Sequence, residues 1–196
     1  MKRDSPASHR NREPILGLLR EILPARGTVL EIASGAGQHA VWFAGVLPGI
    51  VWQPTDAEPD AIVSIDAWRT DSGLPNLRPA VQLDVREDWP PLQADVIVCI
   101  NMVHASPWAA TLGLLAGAAQ VLPTGGALLM YGAWRENGVT APSNEAFERE
   151  FLQVRDPTWG LRDTVDVIAR GEEVGLRWDR TVTMPANNRT LVLRRA

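Results

Sequence analysis

Apolar positions along the chain come in two alternating textures. Short, nearly continuous runs at Thr28 to Ile32, Asp95 to Ile100 and Ala127 to Tyr131 have the length of buried strands. The second is apolar from Val96 onward, as expected of a strand covered on both faces. Between such runs apolar residues recur at helical spacing. Ile15, Leu18, Leu19 and Ile22 predict a first helix from Pro14 to Leu23, with Pro14 in the first turn and Pro24 and Gly27 as the stop.

The same rhythm predicts a helix over Gln38 to Val46, a strand over Ile50 to Gln53 closed by the turn Pro54-Thr55-Asp56, and a helix over Glu58 to Arg69. A strand over Ala80 to Leu83 ends at Asp84, and Pro90 and Pro91 prevent a long regular helix before the strand that begins at Asp95. Pro107 opens a helix to Leu122, and Pro123-Thr-Gly-Gly126 leads into the strand ending at Tyr131. Beyond it Gly132 to Pro142 reads as loop, Ser143 to Val154 as a helix with Ser143 as N-cap, and Asp163 to Glu173 as a helix stopped at Gly175. Leu176 to Met184 and Thr190 to Arg194, joined by Pro185-Ala-Asn-Asn-Arg189, read as an antiparallel pair. Alternating strands and helices predict an α/β, doubly wound, Rossmann-like sheet. Seven mostly parallel strands closed by a C-terminal antiparallel pair are the architecture of class I methyltransferases. One domain over 1–196 is expected, with 1–13 as a candidate mobile N-terminal lid and 132–162 as an insertion near an acceptor site.

Composition narrows the function classes. With 196 residues, 45% apolar, 21% charged and a net charge of −4, the chain has ordinary globular usage and no basic footprint for nucleic acid. The single cysteine, Cys99, lies in an apolar run and excludes an intrachain disulfide. Three scattered histidines give no metal-ligand spacing, so no metal is expected. The first twelve residues are polar and basic, and no apolar stretch reaches the roughly 20 residues of a membrane span. A soluble, cytoplasmic protein is expected.

The chemistry concentrates on Glu31-Ile-Ala33-Ser34-Gly35-Ala-Gly37, the turn after the first strand. In a doubly wound sheet, ligands sit outside the carboxyl ends of the strands where their order reverses. Gly35 and Gly37 permit close backbone approach, and the following helix offers free N–H groups. This turn alone also fits a dinucleotide site. Three acids separate the readings. Glu31, before the turn, suits a cofactor carrying an ammonium group rather than a pyrophosphate. Asp56, about 20 residues past the glycines, can accept from ribose hydroxyls. Asp84, with Val85, ends the third strand, where methyltransferases place a polar residue toward the adenine amino group. Taken singly, Asp56 or Asp84 is equally readable as a turn or cap residue, and glycine-rich turns occur in many α/β proteins; together and in order the three acids point to S-adenosylmethionine.

Many uncommon positions then agree with one family. They include Arg10-Asn11-Arg12-Glu13-Pro14, Trp52-Gln53-Pro54-Thr55-Asp56, Asn101-Met102-Val103-His104, Pro107-Trp108, Ser143-Asn144, Asp156-Pro157-x-Trp159-Gly160-x-Arg162-Asp163 and Met184-Pro185-Ala186-Asn187-Asn188. On these residues the chain resembles the methyltransferase-like twenty-six family, a domain of unknown function among class I methyltransferases. The resemblance implies the class I fold and S-adenosylmethionine binding, and it implies no substrate. One departure is Gly132-Ala133-Trp134, where the family pattern has Gly-Pro-aromatic.

Methyl transfer needs a nucleophile aligned with the methyl group and often a proton acceptor. Asn101 and Met102 follow the fourth strand, where the methyl group would lie. His104 is the first candidate base, against the alternative that it caps the following helix. Tyr131 is a candidate for orienting the acceptor, or a core tyrosine with a satisfied hydroxyl. His39 reads as a packing or cofactor-side residue, and Asn11 and Arg12 as part of a lid over the cofactor or a solvated helix start. Trp108, Asn144, Trp159, Arg162, Asn187 and Asn188 are expected around a small-molecule acceptor. For Arg162 the choice is a substrate carboxylate or an internal bridge to a nearby acid, and for Asn187-Asn188 it is the acceptor or the hairpin turn. Two further functions stay open. One is an NAD(P)-dependent oxidoreductase, against which stand Glu31 and the lack of a Tyr-x-x-x-Lys pair, Lys2 being the only lysine. The other is a non-catalytic S-adenosylmethionine-binding module.

Overall fold

In a computed structural model the described residues are 2–196; Met1, the first residue of the expected lid, lies outside them. Seven strands form one sheet in the order β3-β2-β1-β4-β5-β7-β6. They are β1 (Gly27–Ile32), β2 (Ile50–Asp56), β3 (Val81–Gln82), β4 (Val96–Ile100), β5 (Ala127–Ala133), β6 (Leu176–Thr183) and β7 (Asn188–Arg195). β7 pairs antiparallel with β5 and β6, and every other pairing is parallel, as the alternation predicts. Alternate residues of β4 and β5 supply two cores. Ile97, Cys99, Leu128 and Met130 pack beneath α4 (Trp108–Val121) and α7 (Thr164–Glu173). Val96, Val98, Leu129 and Tyr131 face α1 (Pro6–Ile22) and α2 (Gln38–Val46). The run of apolar residues in β4 is thus buried on both sides. Among the described residues no helix is long and apolar enough to cross a membrane.

Several boundaries differ from the sequence expectation, each for a local reason. α1 begins at Pro6 rather than Pro14, so residues 6–13 of the expected lid are helical. Their buried side chains, Ser8 and Asn11, are polar, so an apolar period cannot reveal those turns. Pro14 sits in the helix interior and leaves the Arg10 carbonyl without its ladder donor. β2 runs through Pro54 to Asp56 instead of turning at Pro54. Trp52 pairs on the β3 side with Asn76 and Arg78, at 2.8 and 2.9 Å. By alternation the missing Pro54 N–H faces that same edge, where the neighbouring chain leaves at Pro79. The Gln53 amide spans the gap, donating to the carbonyls of Pro79 (2.8 Å) and Pro54 (3.1 Å). α3 (Pro59–Ser72) follows and packs beside α2.

The insertion after β5 holds α5 (Pro142–Phe147), a π-helical turn over Glu148–Leu152, and α6 (Gln153–Arg155). Ala141, not Ser143, is the N-cap. The Ser143 hydroxyl instead accepts from Asn187 Nδ2 at 3.0 Å, tying α5 to the closing hairpin. Asp163, expected as the first helical residue, is instead the N-cap of α7, accepting from the Val165 N–H at 3.0 Å.

Candidate functional site

The strand order reverses between β1 and β4, and the chain leaves β1 there through backbone that few side chains tolerate. Ala33, Gly35 and Gly37 have φ of 55°, 58° and 91°. The two glycines serve different ends. A Cβ on Gly35 would meet nothing within 4 Å, so this position borders open space. A Cβ on Gly37 would lie 2.8 Å from the Ile65 Cα, so Gly37 lets α2 and α3 approach. Ser34 donates its N–H to the Thr55 carbonyl at 2.8 Å, and Gly35 donates its own to Asp56 Oδ2 at 2.8 Å. Asp56 Oδ1 accepts from the Glu58 N–H at 3.0 Å. Asp56 therefore ties together the turns after β1 and β2, a role that its position in the sequence does not disclose.

Over these turns lies a cavity of about 450 Å³. β1 contributes Ile32 and Ala33, the end of β2 Asp56, Ala57 and Glu58, and the segment after β3 Leu83, Asp84, Val85 and Arg86. The β4–α4 loop adds Met102, Ala105, Ser106 and Pro107, and Ala110 of α4 closes the floor. Asp156 and Trp159 complete the wall from the insertion. Asp84 is held by Arg86, whose Nε donates to Oδ1 at 2.9 Å, and this hydrogen bond keeps the carboxyl below its usual range. Arg86 escaped the sequence reading because nothing but adjacency marks it. Arg3 escaped it too; its guanidinium reaches the Gly35 carbonyl at 3.3 Å.

Trp159, expected beside the acceptor, lines this same cavity. Asp156 folds the segment back by accepting from the Thr158 N–H (2.8 Å) and hydroxyl (2.7 Å). Gly160 then donates to the His104 carbonyl at 3.0 Å. Arg162 binds main-chain carbonyls rather than an acid. Its Nε donates to the Val103 carbonyl at 3.0 Å and one terminal nitrogen to the Ser106 carbonyl at 2.6 Å, with Trp108 alongside. This guanidinium fastens the insertion to the β4–α4 loop. Asn144 donates to Thr140 Oγ1 and the Asn187 carbonyl, both at 3.1 Å, and Asn188 donates to the Pro185 carbonyl at 3.0 Å. Ala186 and Asn187 take left-handed backbone at φ of 56° and 60°. The three asparagines thus build the hairpin turn and its clasp.

His104 is fully buried. Its ring packs on Gly132 and lies edge-on to Trp134, with centroids 4.8 Å apart. Neither nitrogen has a hydrogen-bond partner among the described residues, and burial, with the nearby Arg162 charge, pushes its pKa down to about 3. The imidazole is neutral at working pH and is not part of the cavity wall, so it sits where a packing residue would. Asn101, at φ 65°, starts the loop and donates its N–H to the Tyr131 carbonyl at 2.8 Å. Arg12 lies over the Trp42 ring at 4.9 Å, directed at α2. Asn11 accepts from His39 Nε2 at 2.8 Å beneath α1. Cys99 is buried, which pushes its thiol up to about 12.

Glu31 is buried under the turn and accepts from Trp52 Nε1 at 2.9 Å. Burial pushes its pKa up to about 7, against the opposing pull of the hydrogen bonds from Trp52 and Ser34. The folded state therefore holds a proton that the unfolded state releases near 4.5, and stability drains as pH rises through 7. His39 and His104 act in the opposite sense. Burial lowers them from 6.5 to about 4 and about 3, so their contribution is present above 6.5 and lost as pH falls. Comparing Glu31→Gln with wild type isolates the first effect. The variant's stability advantage should grow by up to about 3 kcal/mol between pH 5 and 8, read by urea unfolding. An advantage that does not change with pH contradicts the burial of this carboxyl.

Comparisons with known proteins agree with the architecture. The model of the family described as "Protein of unknown function (DUF938)" matches residues 2–195, and the chain belongs to that family. Its fold is similar to that of the S-adenosylmethionine-dependent methyltransferase SibL, at 19% identity and a TM-score of 0.79, covering 96% of this chain and 55% of SibL. It is similar to CalO1, a methyltransferase in calicheamicin biosynthesis in its SAH-bound form, at 21% identity and 0.73, covering 94% and 55%. A putative sarcosine dimethylglycine methyltransferase from Galdieria sulphuraria matches at 15% identity and 0.77, covering 97% and 87%. The chain spans little more than half the length of SibL and CalO1. Its sheet is the Rossmann-like methyltransferase sheet.

Proposed function

We propose that this DUF938 member is an S-adenosylmethionine-dependent methyltransferase of the methyltransferase-like twenty-six kind, acting on a small-molecule acceptor. The observation that carries the reading is the charge of the cavity. Asp56, Glu58, Asp84 and Asp156 line it against the single guanidinium of Arg86. Carboxylates suit ribose hydroxyls, an adenine amino group, an ammonium and a sulfonium, and they repel a pyrophosphate. The apolar remainder (Ile32, Leu83, Val85, Met102 and Ala110) suits a purine. S-Adenosylmethionine bound here supplies the methyl group. The chain itself would orient and shield it: Asp56 would hold the ribose hydroxyls, Asp84 the adenine amino group, and Trp159 would cover the nucleoside from the insertion. A cytoplasmic setting fits the lone, buried thiol of Cys99.

Enzyme and passive binding module separate in one assay. Protein is incubated with methyl-labelled S-adenosylmethionine and the small-molecule fraction of a cell extract. Label is expected to appear in a small molecule, and the Asp56→Ala variant should abolish it. Bound cofactor with no label transferred points to the module, and label found in protein or RNA overturns the acceptor class.

A further inference from the structure

The segment before α1 is tied to the glycine turn, although none of its residues lines the cavity. Along α3, Ser64, Trp68 and Asp71 recur at helical spacing and share one face. Each of them holds the chain at Lys2 or Arg3. Ser64 Oγ accepts from the Arg3 N–H at 2.8 Å, and Trp68 Nε1 donates to the Arg3 carbonyl at 3.2 Å. Lys2 lies over the Trp68 ring, 4.4 Å from its centroid, and pairs with Asp71. On the other flank Gln38, the first residue of α2, accepts from the Ser5 N–H and donates to Asp4.

The turn itself is held from two sides. Its N–H groups at Ser34 and Gly35 go to β2, through the Thr55 carbonyl and the Asp56 carboxylate. Its carbonyls at Gly35 and Ala36 go the other way. The Arg3 guanidinium donates to the first at 3.3 Å, and the Ser64 hydroxyl donates to the second at 2.8 Å. Ser64 is fully buried and accepts from Arg3 with the same oxygen, so it joins the N-terminal segment to the turn. Ala33, Gly35 and Gly37 all stand at positive φ, and two of the three have the freedom of glycine. A turn left loose on its carbonyl side must be ordered when a ligand binds, at a cost in affinity. We infer that residues 2–5 are a docked strap that pre-orders the glycine turn for the cofactor, with Ser64 as the positioning residue that transmits its hold. The coupling to the cofactor rests on the methyltransferase reading; the docking of the strap does not.

Lys2 is the only lysine in the chain, so one side-chain signal reports the strap. In cofactor-free protein labelled with 13C-lysine, the Lys2 ε-methylene should resonate upfield of a solvated lysine, under the ring current of Trp68. Arg3→Pro removes both the N–H that Ser64 accepts and the guanidinium, from an exposed position outside the helices. It should return the signal to the solvated position. A solvated signal in wild-type protein overturns the docked strap, whether or not the chain binds a cofactor. Arg3→Pro and Trp68→Leu should each weaken S-adenosylhomocysteine binding by about tenfold in calorimetry, the cost of ordering roughly one residue of backbone. Among the described residues Trp68 has no hydrogen bond to the turn, so its effect must pass through the strap. In the transfer assay KM for S-adenosylmethionine should rise by the same factor, while the rate at saturating cofactor stays within about twofold. Unchanged affinity in both variants overturns the coupling. A loss confined to the saturated rate overturns it too, because a pre-ordering strap acts on binding alone. Wild-type protein that binds neither adenosyl compound overturns the methyltransferase reading itself, and the coupling with it.

Discussion

Gly37→Ala is expected to destabilise the fold by about 2–4 kcal/mol, the sum of left-handed backbone strain and overpacking. The backbone sits at φ 91°, and the new Cβ would stand 2.8 Å from the Ile65 Cα. That contact is with the backbone of α3, so no flexible side chain can yield, and α2 and α3 must separate. Gly35→Ala is the matched comparison. It shares the positive φ, at 58°, but its Cβ meets nothing within 4 Å. Only the conformational penalty of about 1–2 kcal/mol applies there. Urea denaturation of both variants should give clearly separated midpoints with the Gly37 variant lower. Equal losses would mean that the close approach of α2 to α3 does not limit stability.

Asp56→Ala is expected to weaken S-adenosylmethionine binding by about 100-fold or more, equivalent to roughly 2.7 kcal/mol. The carboxylate does two things at once. It accepts from the Gly35 and Glu58 N–H groups, fixing both turns that border the cavity, and it contributes an acceptor to the cavity wall. Removing it leaves two backbone donors unpaired and frees the glycine turn. Thr55 and Ser34 still join β2 to the turn, because their bonds run through backbone atoms and the Glu31 carbonyl. The sheet should therefore survive. Calorimetry reads the affinity and circular dichroism the fold; a dissociation constant within threefold of wild type removes Asp56 from the site.

The central strands were legible because parallel strands buried on both faces write themselves as continuous apolar runs, Val96 to Ile100 above all. The first two turns of α1 were hidden because Ser8 and Asn11 bury polar rather than apolar surface. Pro54 looked like a turn because the sequence does not show that its nitrogen faces a gap at the sheet edge. Among site residues, Asp56, Asp84, Val85, Met102 and Ala33 lie on the cavity as their strand-end positions suggest. Trp159 lies there too, although its sequence neighbourhood suggested the acceptor. Arg162, Asn144, Asn187 and Asn188 are engaged with carbonyls and hydroxyls of the chain itself. A polar residue type at a suggestive position does not reveal whether its donors are already used, and that depends on loop geometry.

Calorimetric titration of the intact chain with S-adenosylmethionine, S-adenosylhomocysteine and NAD bears most directly on the acidic cavity as a methyl-donor site. Both adenosyl compounds should bind at one site per chain, and NAD should give no heat, because its pyrophosphate would face Asp56, Glu58, Asp84 and Asp156. Binding of NAD with no response to either adenosyl compound would contradict it.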